Sequence, residues 1–250
     1  MNTHSTLASL TPDATIAEII SADQEAGQLL ASIGMEPASH KEETLRSVCQ
    51  QLKWSEVEVL NWVKKNRLSR KDQNKKQISD DKPDFGEDIN HWCNYLVDEY
   101  HPQLLSLLGE VSSDFPRISQ LHGNQYIWLK YMQWPLENFD DKLQFYTYFE
   151  HKKLFPIFNS LSGGKRDILD GTIQKLERGI EIVKEDQKVL LNLMNTIERK
   201  GNHLENPVGA CSTLRILNYN LRKLFSTLRK EFAIEQEIII PLIKERLNSI

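Results

Sequence analysis

Two glutamates on an apolar stripe constrain this chain more than any other feature. Stepping from residue 217 by threes and fours gives Leu217, Leu221, Leu224, Leu228, Glu231, Glu235 and Ile238. That period belongs to an α-helix with one buried face, and the two carboxylates stand on that face. An ionised carboxylate is costly to bury unless it is paired or ligates a metal. Other segments repeat the pattern. Tyr146 and Glu150 interrupt Leu143, Leu154 and Ile157, and His101 interrupts Val97, Leu104, Leu108 and Val111. A further stripe runs through Ile182, Glu185, Val189, Leu193 and Ile197, with Val183 and Leu190 competing for the facing side.

Almost all of the chain reads as helix, and β-hairpin signals are absent. The spacing predicts a first helix over Thr15 to Ile33, stopped by Gly34, and further short helices from Thr44 to about Lys65. Residues 66–87 are highly charged and poor in large apolar groups, which predicts a linker. It separates a small N-terminal helical domain, 1–65, from a larger one, 88–250. The larger part carries long helical patterns at 88–111, 137–158, 166–199 and 207–247, with a shorter helix near 117–133. Loops at 162–165 and 200–207 separate some of them. The expected fold class is all-α, an antiparallel four-helix bundle preceded by a small helical domain.

Composition narrows the function. A net charge of −4 over 250 residues gives no basic footprint for nucleic acid. No apolar run approaches the roughly 20 residues that span a bilayer. The N-terminus lacks the charged and apolar regions of a signal peptide, so a cytoplasmic location is expected. Cys49, Cys93 and Cys211 are far apart and form no CxxC, which argues against a disulfide framework or a thiolate zinc site. There is no Gly-rich phosphate loop, no GxSxG and no HExxH.

Several carboxylates converging in one helical core would repel each other, and a bound dication is the usual remedy. His101 suits iron, manganese or zinc, and Glu suits harder ions. The alternative is a metal-free core in which Lys142, Lys153, Lys184 or Lys230 pairs with these acids.

The motifs also carry a family resemblance. Residues 210–241, with Ala210-Cys211, Glu235 and Pro241, look like the last helix of the hemerythrin-like domain in the iron–sulfur cluster repair proteins. Glu231 stands at that helix's ligand His position. FYTYFEHKKLFP (145–156) resembles the family's second helix: Leu154-Phe155-Pro156 matches, Glu150 falls on a bridging Glu, and Tyr146 replaces a ligand His. EYHPQL (99–104) is similar to the family's first ligand segment and keeps His101. KEDQKVLL (184–191) looks like the third, with Asp186 matching and Glu185 in place of the His. TIAEIISADQEAGQLLASIGME (15–36) followed by TLRSVC (44–49) resembles the small domain preceding the bundle, but the Cys-Cys pair after the turn is gone.

The resemblance implies a non-haem di-iron centre that repairs clusters damaged by nitric oxide or peroxide. It places the ligands at His101, Tyr146, Glu150, Glu185, Glu231 and Glu235. Three of the family's four histidines are replaced, yet all six side chains can ligate a metal. Two readings stay open. One is a remodelled carboxylate-rich centre holding two iron ions, or manganese, and serving iron–sulfur client proteins. The other is a metal-free member that binds a partner or forms a homodimer through its N-terminal domain.

Overall fold

In the computed structural model, residues 10–73, 85–161 and 170–248 are described. Every regular element among them is helical. No helix among them is long and apolar enough to cross a membrane. The chain divides into two compact units, one of residues 1–83 with 206–219 and the other of 84–205 with 220–250.

The first unit holds α1 (Ile16–Ala22), α2 (Gln24–Ser32), α3 (Leu45–Leu52) and α4 (Glu56–Gln73). Thr15 opens α1 with a reciprocal cap: its hydroxyl accepts from Glu18 N while the Glu18 carboxylate accepts from Thr15 N. The single helix expected over Thr15 to Ile33 is broken at Asp23. This residue adopts an extended conformation, ends α1, and caps α2 by accepting from the Glu25 and Ala26 amides. Gly34 closes α2 at φ 92°, a left-handed conformation that favours glycine. The core gathers Ile16, Ile19, Leu30, Ile33, Leu45, Val48, Trp62 and Ile216. Residues 206–219 join this unit through polar contacts as well. Trp54 Nε1 donates to Ala210 O at 3.2 Å, and Arg215 lies over the Trp54 ring while donating to Ile33 O.

Helix α4 corrects the expected linker. It continues past residue 66 to Gln73 because Arg67 is buried in an ion pair with Asp23 and Asn66 Nδ2 bonds back to Trp62 O. The buried Arg67–Asp23 pair and the Asn66–Trp62 bond anchor the start of this charge-rich stretch. Residues 74–84 of that stretch lie outside the described residues.

In the second unit, α5 (Ile89–Tyr95) passes through a π turn (Leu96–Tyr100) into α6 (His101–His122). Helix α7 (Trp128–Phe149) passes through a second π turn (Glu150–Leu154) into α8 (Phe155–Leu161). Then come α9 (Asp170–Lys200) and α10 (Ser212–Ile234), which continues through a third π turn (Glu235–Ile239) into α11 (Ile240–Asn248). The short helix expected near 117–133 is instead the end of α6 and the start of α7. Pro116 is tolerated inside α6, and the chain turns at Gly123. The predicted loop at 162–165 and the predicted start of the third helix, 166–169, lie outside the described residues.

Contacts set the helix directions. His101 meets Glu150 and Ser112 meets Asp140, so α6 and α7 run antiparallel. Glu198 meets Arg229 and Gln187 meets Gln236, so α9 and the α10–α11 rod do too. Between them lie Leu104, Leu108, Phe139, Leu143, Leu190, Met194, Leu221, Phe225 and Leu228, all buried. This apolar filling holds the helix ends that carry the polar groups described next.

Candidate metal centre

Three π turns surround one buried polar cluster. A π turn bonds each N–H five residues back instead of four and so adds one residue to the helix. Here His101 N donates to Leu96 O, Phe155 N to Glu150 O, and Ile240 N to Glu235 O. The next residue in each case is proline: Pro102, Pro156 and Pro241. A proline inside a helix supplies no N–H and crowds the carbonyl four residues back, which a widened turn relieves. Pro116 and Pro135 sit in ordinary α-helix, so proline permits the π turn without compelling it.

The extra residue moves the buried stripes. Leu96 is buried where the stepwise pattern expects Val97, Phe158 where it expects Ile157, and Ile239 where it expects Ile238. Within each stripe the polar residues remain inward. His101, Tyr146, Glu150, Glu231 and Glu235 are all buried, with Tyr146, Glu150 and Glu231 fully enclosed.

The cluster has two halves. In the first, His101 Nε2 lies 3.2 Å from Glu150 Oε2 and 3.0 Å from Glu231 Oε1. One ring nitrogen thus faces two carboxylates. Glu150 Oε1 and Glu231 Oε2 have no hydrogen-bond partner, and Glu231 Oε1 has the His101 nitrogen beside it without an aligned hydrogen bond. Ligand atoms of these three side chains all lie within 4.8 Å of one another, so the group can hold a metal ion. Two atoms bound about 2.1 Å from one ion at a right angle stand about 3 Å apart, close to the separation of His101 Nε2 from each carboxylate. The His101 ring is held nearly parallel to Phe155, which itself follows the second π turn.

In the second half, the Tyr146 hydroxyl donates to Glu235 Oε2, and Gln187 Nε2 donates to the same oxygen and to the Tyr146 hydroxyl. Gln236 Nε2 donates to Gln187 Oε1. Glu150 and Glu235, one from each half, are near enough that the charge of Glu150 opposes ionisation of Glu235. Burial raises both above the ordinary carboxylate range, Glu150 to about 8, and the neighbouring Glu231 charge pushes the same way. Burial and the Glu150 charge raise Tyr146 well above a normal phenol. Cys93, also buried, is pushed up by burial and by the charges of Glu150 and Glu235.

Glu185 does not belong to this centre. Its side chain is 67% exposed and pairs with Lys188. The register that wins on α9 is the competing one, Val183, Gln187, Leu190, Met194 and Ile197, all buried. Gln187 therefore occupies the place assigned to Glu185. Stepping by four and three from Val183 passes through it, so the signal was present in the competing stripe. The lysine pairing weighed against a metal takes a different form. Lys142 pairs with Asp186 on α9. Among the described residues, Glu150, Glu231 and Glu235 have no Lys or Arg within ion-pair distance.

No protein-family model matches this sequence, and no curated protein matches it.

Proposed function

We propose that this chain is a metal-binding protein of the hemerythrin-like four-helix type, with a divalent transition ion held by His101, Glu150 and Glu231. One observation carries the reading. Three ligand atoms from three helical segments converge at ligand–ligand spacing, and the remaining carboxylate oxygens around them are buried without partners. A buried acid left unpartnered costs free energy that a dication would recover. One imidazole with two carboxylates suits Fe²⁺ or Mn²⁺, with Zn²⁺ as a competitor. The ion's role follows from the resemblance: iron handling under nitrosative or oxidative stress, including repair of iron–sulfur clusters. Its support is the sequence pattern around Leu154-Phe155-Pro156 and Ala210-Cys211 rather than the geometry.

A second reading, a metal-free binding protein, is favoured by the hydrogen-bonded set of Tyr146, Gln187 and Glu235, which is satisfied without an ion. Elemental analysis separates the two. Protein purified from cells grown with iron and manganese is expected to carry metal, and the variants Glu150→Ala and Glu231→Gln are expected to lose it. Wild-type protein free of metal, with no rise in melting temperature on adding Fe²⁺ or Mn²⁺, would establish the second reading.

A further inference from the structure

The two helical rods that cross this centre repeat one pattern. Tyr146 and Glu150 stand four apart with Pro156 six residues on, and Glu231 and Glu235 stand four apart with Pro241 six residues on. In both, the second member of the pair begins a π turn. Each half of the cluster is built the same way, from the first member of one pair, the second member of the other, and one side chain of a third helix. Glu231, Glu150 and His101 make one half, and Tyr146, Glu235 and Gln187 make the other.

The halves differ in chemistry. The first brings two carboxylates and an imidazole nitrogen together and leaves carboxylate oxygens unpartnered. The second brings one carboxylate, a phenol and an amide. The Gln187 amide aims its nitrogen at Tyr146 and Glu235, at 3.1 and 2.5 Å, and an amide NH₂ donates hydrogen bonds rather than ligating. Its oxygen, the atom able to ligate, is turned to Gln236. Charge points the same way: two carboxylates in the first half balance one dication, whereas the second half supplies a single carboxylate already holding two hydrogen bonds.

We infer that the centre takes one ion per chain, in the His101–Glu150–Glu231 half, and that Tyr146, Gln187 and Glu235 form a hydrogen-bonded plug where a second ion would otherwise sit. The inference rests on the metal-binding reading above.

The test is reconstitution of the full chain with Mn²⁺, read by metal content and by electron paramagnetic resonance. A single Mn²⁺ per chain with the hyperfine pattern of an isolated ion is expected. Two ions per chain, or an exchange-coupled spectrum, would overturn the inference and leave metal binding standing. No uptake would overturn both. Variants locate the ion. Tyr146→Phe and Gln187→Leu are expected to keep the single ion with affinity within about tenfold of wild type, a change of about 1.4 kcal/mol. His101→Ala is expected to lose it. If the plug variants lose the ion as completely as His101→Ala while circular dichroism shows intact helix, the second half is part of the metal site and the inference fails.

Discussion

Glu231 is fully enclosed; His101 Nε2 stands 3.0 Å from its Oε1 without hydrogen-bond alignment, and its Oε2 has no hydrogen-bond partner. A buried polar group in that state costs about 1–3 kcal/mol. Glu231→Leu is therefore expected to raise the stability of the metal-free protein by about that amount, and to abolish any further rise on adding Mn²⁺. Chemical denaturation with and without metal checks both. Glu185→Ala is expected to change stability by less than about 0.5 kcal/mol and to leave metal binding intact, since this side chain is exposed beside Lys188. Acidity provides a second check. Glu150 and Glu235 titrate higher in the folded protein than in the unfolded chain, so the folded state holds more protons above the ordinary carboxylate range. The contribution of these two groups to the stability of the metal-free protein is full at low pH and is lost as pH rises through about 8, where Glu150 ionises. A bound dication displaces the proton of its ligand Glu150, so its stabilisation grows over the same interval. Melting temperatures measured against pH, with chelator and with Mn²⁺, are expected to diverge as pH rises; parallel curves would contradict this. Five of the six residues picked from the sequence converge here because a polar side chain on an apolar stripe is visible in one dimension. Glu185 failed because α9 offers two stripes one residue apart, and the choice between them is made by packing against neighbouring helices.

At the level of helices, the π turns decide which residues face inward. Stepping by threes and fours finds the polar ligands, yet on the other side of the inserted residue it names Val97, Ile157 and Ile238, where Leu96, Phe158 and Ile239 are the buried residues. A regular period cannot report an inserted residue. The prolines at 102, 156 and 241 were visible, but Pro116 and Pro135 show that proline alone is ambiguous. The insertion can be tested directly. Deleting the exposed Lys152 from the second π turn is expected to restore plain α-helix with the flanking faces in register. Helicity should stay near wild type while metal affinity falls by at least about tenfold, or about 1.4 kcal/mol. Deleting the exposed Asp141 from regular α7 would instead rotate the following residues by about 100° and turn apolar groups outward. That variant is expected to unfold or aggregate. Equal loss of helicity in both variants would contradict the assignment of the π turn as a removable insertion.

Across the whole chain, helix was legible from periodicity, whereas two features of the first unit were not. Helix α4 outruns its charged sequence because Arg67 is buried against Asp23, far away along the chain. Residues 206–219 join this unit through Trp54, Ala210 and Arg215, contacts that leave no periodic trace. The candidate metal centre lies wholly within the second unit. Metal at about 100 times its dissociation constant should stabilise that unit by about 2.7 kcal/mol. Hydrogen exchange is expected to slow in α6, α7, α9 and the later part of α10, and to stay unchanged in α1 to α4. The most direct measurement is crystallographic: anomalous scattering from crystals grown with Mn²⁺. A single peak about 2.1–2.3 Å from His101 Nε2 and from oxygens of Glu150 and Glu231 is the predicted result. A fully described cluster with no peak, or a peak elsewhere on the chain, would contradict the account.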